Sequence, residues 1–402
     1  MRQMVLELAY WAVLGLVAGA YLGYPALLVC VARTACRIGR LDGDWEPSGE
    51  VPPVTLVIPV HNEASVAHLK LANCRGLEYP ADKLHVVVVN DSSTDGTREI
   101  LESISVPNMT IVHTHSRSGK AGALTEAMRH VGTELICFSD ANVFLRANAL
   151  SELVRPFSDA RVGATTADVR LQSQAKGWGI GERLYYQVER SVQLAESALW
   201  STIGVDGGLF VVRRRLAEPI PQNVVLDDFV IAMNVLRSGH RIIYCPDAIA
   251  EEDAPPTVKQ EFRRRVRMAT GVVQSLRMGA FPRLTQPITL LMYLAHKLLR
   301  WMSPVLVLCL IALSASCVRY HWTYAVPLVG FGVITLLGGL SLVSRRVRES
   351  WPGGIAVYFC STVGAFLVGL AKGLIGTHSA IWAPTARTQV VPAASATGEG
   401  NE

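Results

Sequence analysis

The stretch VVVVNDSSTDGT, Val86 to Thr97, joins four valines to a group of small polar and acidic residues. A short run of β-branched residues bounded by turn-forming residues predicts a strand that is buried on both faces, as in a parallel sheet. Ligands of such sheets bind beyond the carboxyl ends of the strands. The stretch therefore predicts a ligand site at Asn90 and Asp91. Turn formation and helix capping are the structural alternatives for Asp91 and Asp95.

Similar strands lie on both sides of this stretch, and helical segments separate them. Strands that alternate with short helices predict right-handed crossovers and a parallel α/β sheet. The predicted strands are TLVIPV (residues 55–60), HVVVVN (85–90), MTIVHT (109–114) and ELICFSD (134–140).

Polar side chains follow three of these strands, which brings them to one edge of the predicted sheet. Carboxylates in that position suit hydrogen bonds to a nucleoside and coordination of a hard divalent cation. The sequence has neither G-x-G-x-x-G after the first strand nor a Walker A loop, which excludes the common dinucleotide and P-loop sites. The candidate residues are His61, Asn62 and Glu63 after the first strand, Asn90 and Asp91 after the second, and Asp140 and Asn142 after the fourth.

The N-terminal region has the pattern of a membrane anchor. Half of the 402 residues are hydrophobic, and the mean hydropathy of +0.29 indicates one soluble domain with membrane segments. Residues 8–32 carry no charge, and Arg33, Arg37 and Arg40 follow them. This positive-inside pattern predicts a cytoplasmic domain after the span. The length of the run and the arginine directly after it argue against a cleaved signal peptide.

Three further apolar segments near membrane-spanning length follow the globular part, at 302–318, 324–343 and 353–371. The sequence RRVR at 345–348 marks a second cytoplasmic loop. Before them, ITLLMYLAHKLLRW at 288–301 mixes apolar and basic residues and predicts an amphipathic helix in the membrane interface. Three crossings would place the C-terminus outside, whereas nearby basic residues favour the inside. The last segment therefore either crosses the membrane or lies flat.

The cysteines, the net charge and the motif content limit the classes of metal site and partner that we expect for this chain. None of the eight cysteines forms a C-x-x-C pair, which predicts buried free thiols rather than a disulfide framework or a zinc site. The net charge of +5 is interpreted as basic loops that face anionic lipid or phosphate ligands. The sequence lacks an aromatic-plus-basic RNA motif, so we expect no nucleic-acid partner.

Five segments, taken together and in this order along the chain, carry a resemblance to a known family: TLVIPVHNEA, VVVVNDSSTDGT, KAGALTEAM, SDAN and LDDFVIAMNVLRSGHRIIYCPDA. In these segments the chain resembles the family-2 glycosyltransferases, which include chitin, hyaluronan, cellulose and poly-N-acetylglucosamine synthases. The resemblance covers residues 54–271, and HKLLRWMSPVL and IWAPTAR are also similar to membrane-bound members. It implies an α/β GT-A (Rossmann-like) nucleotide-sugar domain with flanking transmembrane helices. The expected divisions are 1–40 for an N-terminal transmembrane helix, 41–53 for a linker, 54–280 for the GT-A domain, 281–376 for interfacial and transmembrane helices, and 377–402 for a tail.

The resemblance assigns one group of residues to the nucleotide-sugar donor. Asp91 would contact the uracil or ribose, and His61, Asn62 and Glu63 would line the nucleoside pocket. Lys120, at the start of its helix, would also face the nucleotide. A solvated lysine at a helix start is the alternative.

A second group matches the metal and catalytic motifs. Asp140 matches the first position of the D-x-D motif, where Mg²⁺ or Mn²⁺ neutralises the leaving diphosphate. Asn142 occupies the third position as a neutral oxygen ligand, which departs from the strict motif. Asp227 and Asp228 fall where the family has T-E-D, and Asp228 matches the base that deprotonates the acceptor hydroxyl. An acidic helix N-terminus is the structural alternative for both.

A third segment, EFRRRVRMATG at 261–271, lies where processive members carry Q-x-x-R-W. Arg264 takes the glutamine position, Arg267 the arginine position and Met268 the tryptophan position. Guanidinium groups can bind diphosphate oxygens in pairs. Residues 260–264 give a second register, and a basic helix that faces lipid headgroups is the alternative.

These expectations describe an inverting, metal-dependent hexosyltransferase that moves a sugar from a UDP-sugar onto a growing polysaccharide. The catalytic domain would be cytoplasmic, at the plasma (inner) membrane. Transfer of one sugar to a lipid acceptor is the second hypothesis, which Met268 favours because methionine cannot stack beneath an acceptor sugar as tryptophan does. The third hypothesis is a catalytically inactive membrane adaptor that binds a nucleotide. Its support is that Asn142 and Asp227 differ from the D-x-D and T-E-D motifs.

Overall fold

The computed structural model describes residues 1–37, 50–104, 106–172, 178–221, 223–253 and 257–376. Most of the expected linker at 41–53 lies outside the described residues. The expected tail at 377–402 lies outside them as well, together with the segment IWAPTAR.

In the described ranges, eight strands form one sheet in the order β3-β2-β1-β4-β7-β6-β8-β5. β1 pairs in parallel with β2 and β4, and β2 pairs in parallel with β3, which confirms the predicted parallel pairing in this half of the sheet. The strands are β1 (Val54–Val60), β2 (Leu84–Asn90), β3 (Met109–His113), β4 (Leu135–Ser139), β5 (Val143–Leu145), β6 (Val162–Gln172), β7 (Leu209–Arg213) and β8 (Arg241–Asp253).

The other half of the sheet is mixed, and its strands lie beyond the four that the sequence predicted. β7 runs antiparallel to both β4 and β6, β5 runs antiparallel to β8, and β6 and β8 are parallel. Local periodicity identifies a strand but not its partner, and these pairings join segments that are far apart in the chain.

The helices flank the sheet and continue beyond it. π-helical segments at Gly19–Gly23 and Tyr293–Leu298 join α1 to α2 and α11 to α12. The helices are α1 (Arg2–Ala18), α2 (Tyr24–Arg37), α3 (Ala64–Arg75), α4 (Thr97–Ser103), α5 (Gly119–Met128), α6 (Ala149–Val154), α7 (Trp178–Leu199), α8 (Arg214–Ala217), α9 (Asp227–Arg237), α10 (Val258–Arg277), α11 (Pro287–Met292), α12 (Leu299–Cys317), α13 (Ala325–Val343), α14 (Arg345–Glu349) and α15 (Trp351–Ile375).

The four valines of β2 show why the sheet lies in the middle of the domain. Val87 and Val89 pack into one apolar layer, and Val86 and Val88 pack into the other. None of the four is more than 2% exposed. Because side chains alternate between the faces of a strand, an unbroken apolar run satisfies two cores at once. The polar residues that follow β2 therefore begin where both layers end.

Among the described residues, four helices are long and apolar enough to cross a membrane. The predicted interfacial helix at 288–301 is not a separate element, because it forms the first half of one of the four. Its basic side chains contact α7 of the sheet domain, as described below, rather than standing free at a lipid surface. The four helices are Arg2–Cys36, Pro287–Cys317, Trp322–Val343 and Trp351–Ile375.

The last apolar helix, α15, packs along α10. A Cβ added to Gly369 would lie 2.5 Å from the Cβ of Ala269, and one added to Gly373 would lie 2.8 Å from the Cβ of Val273. Near the start of α10, the guanidinium group of Arg265 lies 4.3 Å from the centre of the Tyr358 ring. The small residues on α15 therefore let the two helix backbones approach closely.

Candidate active site

Asp91 lies at the end of β2, and its carboxylate organises a neighbouring loop. Oδ1 accepts hydrogen bonds from the backbone N–H of Ser118 at 2.8 Å and from its hydroxyl at 2.9 Å, and Oδ2 accepts one from Gly119 N–H at 2.8 Å. Thr114 Oγ1 donates to Oδ1 at 3.3 Å. Asp91 is 3% exposed. Its carboxylate therefore fixes the start of α5, the helix that carries Lys120.

The residues after β1 join the same preformed region. His61 is buried, and its Nδ1 lies 2.6 Å from the carbonyl oxygen of Asp91. Asn62 accepts a hydrogen bond from Thr94 N–H at 2.8 Å. The backbone N–H of Glu63 donates to Thr97 Oγ1 at 2.9 Å, and Glu63 is buried as well. These contacts tie the turn after β1 to the turn after β2.

The contacts of Asp95 correspond to both structural alternatives, turn formation and helix capping. Oδ1 accepts from the N–H of Thr97 at 3.2 Å, at the start of α4, and Oδ2 accepts from the N–H of Ala64 at 3.2 Å, at the start of α3. These bonds lower the pKa of Asp95 although burial opposes them. Asp95 thus serves the structure of two helix starts.

Lys120 lies at the centre of a second region. Its Nζ is 2.8 Å from Asp140 Oδ1 and 3.7 Å from Asp227 Oδ2, and it donates to Gly207 O at 3.4 Å. Burial alone would lower the pKa of Lys120, but Asp140, Asp227 and Asp228 raise it above its ordinary value. Lys120 therefore remains a cation among carboxylates, and the solvated-lysine alternative does not fit.

Asp227 and Asp228 form the N-terminus of α9. Asp227 is buried, and its Oδ2 has no hydrogen-bond partner among the described residues. A Cβ added to Gly207 would lie 2.6 Å from Asp228 Oδ2, so only glycine leaves room for this carboxylate. Burial, with the charge of Asp227, raises the pKa of Asp228 to about 6. Asp228 is therefore a proton acceptor suited to near-neutral pH.

Asp140 and Asn142 flank one side of this region. The backbone N–H of Asp140 donates to Gly208 O at 3.1 Å, which fixes the turn after β4 against the loop before β7. Asn142 Nδ2 donates to Glu252 Oε1 at 3.0 Å. That bond leaves the amide oxygen of Asn142 for another partner. The oxygen donors at Asp140 and Asn142 thus fit a hard cation such as Mg²⁺ or Mn²⁺.

Two acids in the same region have no counterpart among the sequence predictions. Asp206 accepts a hydrogen bond from Gly208 N–H at 2.9 Å, and burial, with the charge of Glu252, raises the pKa of Asp206 to about 7. Glu252, near the end of β8, bonds Asn142. The sequence signals were weak: an acid before a glycine pair, and an acid in the run EED.

Two arginines of α10 lie near these acids. Burial opposes the charged form of Arg264, but its acidic neighbours, which include Glu252 and Asp206, raise its pKa. Burial and the charge of Arg264 lower the pKa of Arg267, and Asp227, Asp140 and Asp228 oppose this shift. Glu261 binds Arg265 and lies 3.8 Å from Arg264. Gln260 accepts from Thr257 Oγ1 at 3.1 Å at the start of the helix, so the second register places its glutamine at a cap. Met268 is 38% exposed.

The structure therefore brings the predicted residues into two groups joined by residues 118–120. His61, Asn62, Glu63 and Asp91 form the first group, in which hydrogen bonds within the fold engage the side chains or backbone. The second group has closely spaced, partly unpaired charges. Its members are Lys120, Asp140, Asn142, Asp227, Asp228, Arg264 and Arg267, with Asp206 and Glu252 added by the structure.

Comparison with curated proteins finds glycosyltransferases. The chain is 27% identical over 234 residues to the probable glycosyltransferase YdaM of Bacillus subtilis (strain 168), which covers 55% of this chain and 56% of that protein. It is 24% identical over 233 residues to the poly-beta-1,6-N-acetyl-D-glucosamine synthase of Staphylococcus aureus (strain COL), which covers 55% of each. The matches thus span about half the length of these relatives.

A solved structure is similar over nearly the whole chain. It is the mannosyltransferase PcManGT from Pyrobaculum calidifontis, in complex with GDP-Man and Mn²⁺. The TM-score is 0.70 at 26% sequence identity, and the match covers 93% of this chain and 100% of that one. The sheet domain and the following helices therefore share one architecture with a nucleotide-sugar enzyme.

The family comparison covers the whole sheet domain. A family model described as Glycosyltransferase like family 2 matches residues 52–271, from the start of β1 to the middle of α10. This match and the named relatives support an enzyme rather than an inactive adaptor. The chain belongs to the family-2 glycosyltransferases and has their GT-A fold.

Proposed function

We propose that the enzyme transfers a sugar, with inversion, from a UDP-sugar onto a growing polysaccharide at the membrane. The observation that carries this proposal is the convergence of Lys120, Asp140, Asp227 and Asp228 within one region, with Arg264 and Arg267 approaching from α10. The cations suit a diphosphate, and Asp228 beside them is a carboxylate that can accept a proton. The named polysaccharide synthase among the relatives supports the acceptor class.

Asp228 is the proposed base. An inverting transfer needs a carboxylate opposite the leaving group, which takes the proton of the acceptor hydroxyl as the new bond forms. Its pKa of about 6 keeps Asp228 ionised at neutral pH while retaining affinity for a proton. Asp227 supports it by holding Lys120 in place and by adding negative charge beside it.

Lys120, Arg264 and Arg267 are the proposed diphosphate ligands. Arginine presents pairs of N–H donors that match phosphate oxygens, and lysine adds a point charge. Arg267 makes no ion pair within the described part of the chain, so its donors are available to a ligand. The leaving UDP would thus gain negative charge next to fixed cations.

Asp140 and Asn142 are the proposed ligands of a divalent cation. The described residues contain no group of three or more acidic, histidine or cysteine side chains arranged to hold a metal. Oxygens of the donor diphosphate would therefore complete the shell, as is usual for Mg²⁺. The Mn²⁺ in the similar mannosyltransferase structure supports divalent metal use.

The nucleoside would lie beside His61, Asn62, Glu63 and Asp91. Because the Asp91 carboxylate already binds Ser118 and Gly119, we propose that any contact with the uracil or ribose is made in addition to those bonds. Asp91 would then contribute to recognition of the nucleoside by holding the loop at Ser118 and Gly119 in place.

Transfer of a single sugar to a lipid acceptor is the second proposed function. Met268 is partly exposed at the position where processive relatives place a stacking tryptophan. A flexible thioether gives a growing chain a weaker platform than an aromatic ring.

One experiment tests both functions. Purified full-length protein in lipid nanodiscs is incubated with Mn²⁺, an oligosaccharide or lipid extract as acceptor, and a panel of UDP-sugars together with GDP-mannose. UDP release with a ladder of products supports polysaccharide synthesis, and a single added sugar supports the second function. Release of GDP in place of UDP would contradict the donor assignment. Asp228→Asn is the matched inactive control.

We also propose that the catalytic domain is cytoplasmic and that α15 does not cross the bilayer. The part of α15 from 362 to 374 packs on α10, which belongs to the catalytic side. The 11 residues of α15 before Thr362, at 351–361, reach only about 16 Å, short of a hydrocarbon core of about 30 Å. A reporter fused after residue 376 should be active only in the cytoplasm. A reporter active outside would show that α15 crosses.

A further inference from the structure

The motif HKLLRWMSPVL, residues 296–306, places charged side chains in an apolar helix, and the proposed chemistry leaves them unexplained. They belong to a buried group of residues between α7, α2 and the Pro287–Cys317 helix. This group is called the junction cluster here, and it lies outside the acidic region around Lys120. Its members are Tyr24, Glu189, Glu196, His296, Lys297 and Arg300.

His296 is the centre of the junction cluster. Its side chain is 1% exposed, Nδ1 lies 2.8 Å from Glu196 Oε1, and Nε2 lies 2.9 Å from Glu189 Oε1. Tyr24 donates to Glu196 at 2.6 Å, and Arg300 forms an ion pair with Glu189. Charges taken this far from water are costly to bury unless partners compensate them. Such clusters in apolar helices are therefore usually tied to function.

Both π-helical segments of the described chain lie at this cluster. The segment Tyr293–Leu298 contains His296 and Lys297, and Arg300 Nε donates to Ala20 O at 3.4 Å in the segment Gly19–Gly23. π-helical turns occur frequently at functional sites because they re-aim side chains within a helix. Two apolar helices thus deviate from regular geometry at one level.

The junction cluster continues directly into the loop that reaches Asp228. Glu196 Oε2 accepts from Thr202 Oγ1 and from Ile203 N–H, each at 3.3 Å. Two residues later in the chain is Val205, followed by Asp206 and by Gly207, the glycine that makes room for Asp228. We call residues 202–207 the acceptor loop, because it lies next to the proposed base.

Lys297 makes a second contact with the acceptor loop. A Cβ added to Gly204 would lie 3.6 Å from Lys297 Cε, so the side chain crosses this glycine in van der Waals contact. Lys297 Nζ also lies 3.3 Å from Glu189. The acceptor loop is therefore held by Glu196 of α7 and also touched by Lys297 of the apolar helix.

We propose that Glu196 and His296 are positioning residues that fix the acceptor loop to the membrane helices, so that an acceptor arriving along these helices meets Asp228 in a fixed geometry. The inference rests on the proposed function for the meaning of the loop, but its structural part is testable without any substrate. Glu196 acts through Ile203 and Thr202, and His296 acts by holding Glu196.

Hydrogen exchange of the full-length protein in nanodiscs tests the structural part. Glu196→Gln and His296→Asn should accelerate amide exchange at 202–207 by at least about tenfold, because the first replaces the carboxylate that accepts from the loop by a weaker amide acceptor and the second removes the ring that holds Glu196. Exchange at 86–97, in the nucleotide region, should stay unchanged. The matched control is Tyr10→Phe, a buried position in α1 away from the cluster. Unchanged exchange at 202–207 in both variants would overturn the proposal.

Activity adds a readout that general loss of structure would not produce. With the donor that the panel selects, Glu196→Gln should raise the ratio of donor hydrolysis to transfer by about tenfold and raise the KM for acceptor, while the Kd for UDP stays the same. An equal fall in hydrolysis, transfer and UDP binding would overturn the positioning role. If the wild-type protein turns over no donor, the proposed function fails, and the exchange data still decide the inference.

A milder variant guards against misfolding. Thr202→Val removes one hydrogen bond to Glu196 on the loop side and leaves the buried charges intact. It should accelerate exchange at 202–207 and raise the hydrolysis-to-transfer ratio in the same direction as Glu196→Gln, by a smaller factor. A Thr202→Val protein indistinguishable from wild type in both measurements would count against the proposal even if Glu196→Gln and His296→Asn fail to fold.

Discussion

The turn regions after β1 and β2 and the acidic region around Lys120 lie at the same edge of one sheet, yet they treat their carboxylates in opposite ways. Asp91 and Asp95 accept several hydrogen bonds each from neighbouring N–H and hydroxyl groups. Within the part of the chain that the structure describes, a buried oxygen of Asp227 has no hydrogen-bond partner, and the pKa of Asp228 is raised. In the first region, the carboxylates stabilise the fold itself. In the second region, the carboxylates remain able to interact with a ligand and to accept a proton.

The substitution Asp228→Asn tests this difference between the two regions most strongly. If Asp228 is the base, transfer should fall by about 10²–10⁴-fold, since this is the usual contribution of a general base. The Kd for UDP should change little, because the substitution leaves Lys120, Arg264 and Arg267 in place. Product formation and isothermal titration with UDP measure the two effects. Turnover at the wild-type rate would refute the assignment of the base.

Asp91→Asn should show the reverse pattern. It replaces a charged acceptor of backbone and hydroxyl donors, so the free energy of unfolding should fall by about 1.5–3 kcal/mol. Thermal unfolding in detergent at pH 8 checks this, with Asp228→Asn as the matched control. The fold holds the Asp228 proton more tightly than the unfolded chain does, so the fold loses stability as the pH rises from 3.8 to about 6, and this loss is complete at pH 8. Asp228→Asn should therefore equal or exceed the wild-type midpoint at pH 8, and equal losses in both variants would erase the distinction.

The pH dependence of transfer should follow Asp228. As the pH falls below about 6, the base becomes protonated, and kcat/KM should fall about tenfold per pH unit. Asp206, whose pKa is about 7, titrates nearby. The profile of Asp206→Asn separates the two acids, because its acid limb should persist. Loss of the limb in Asp206→Asn would transfer the role of base to Asp206.

Asn142→Asp should give the smallest effect. It restores the strict D-x-D pattern beside Glu252, which now accepts a hydrogen bond from Asn142. We expect the Kd for Mn²⁺ to tighten by a few-fold, on the order of 1 kcal/mol, because a carboxylate is a stronger ligand than an amide. Mn²⁺ titration followed by electron paramagnetic resonance measures it without turnover. Weaker Mn²⁺ binding would place the cation away from Asn142.

Sequence patterns predicted the parallel half of the sheet because its information is local. An unbroken run such as 86–89 reports burial on both faces, and the polar residues after it report the strand end. The mixed half depends on which distant strand lies alongside β7 or β8, and no local period carries that. The same limit explains Asp206 and Glu252, whose importance arises only when the loop before β7 and the end of β8 meet Asn142 and Gly208.

The segment 288–301 shows the limit from another side. Basic residues within an apolar run are typical of an interfacial helix, and the sequence contains nothing near them to suggest another role. Their partners, Glu189 and Glu196, lie about a hundred residues earlier, on α7. Charge pairing over that distance becomes visible only in the folded chain, where it turns a predicted surface helix into a buried contact.

The close packing of Gly369 and Gly373 on α10 has a practical consequence for anyone who wishes to excise the catalytic half. A truncation that keeps residues 54–280 would uncover the side of α10 formed by Ala269 and Val273, which α15 now shields. That exposed apolar strip would promote association between copies of the fragment in water. Expression designs for this enzyme should therefore retain the chain through residue 376 and choose detergent or lipid as the solvent from the start.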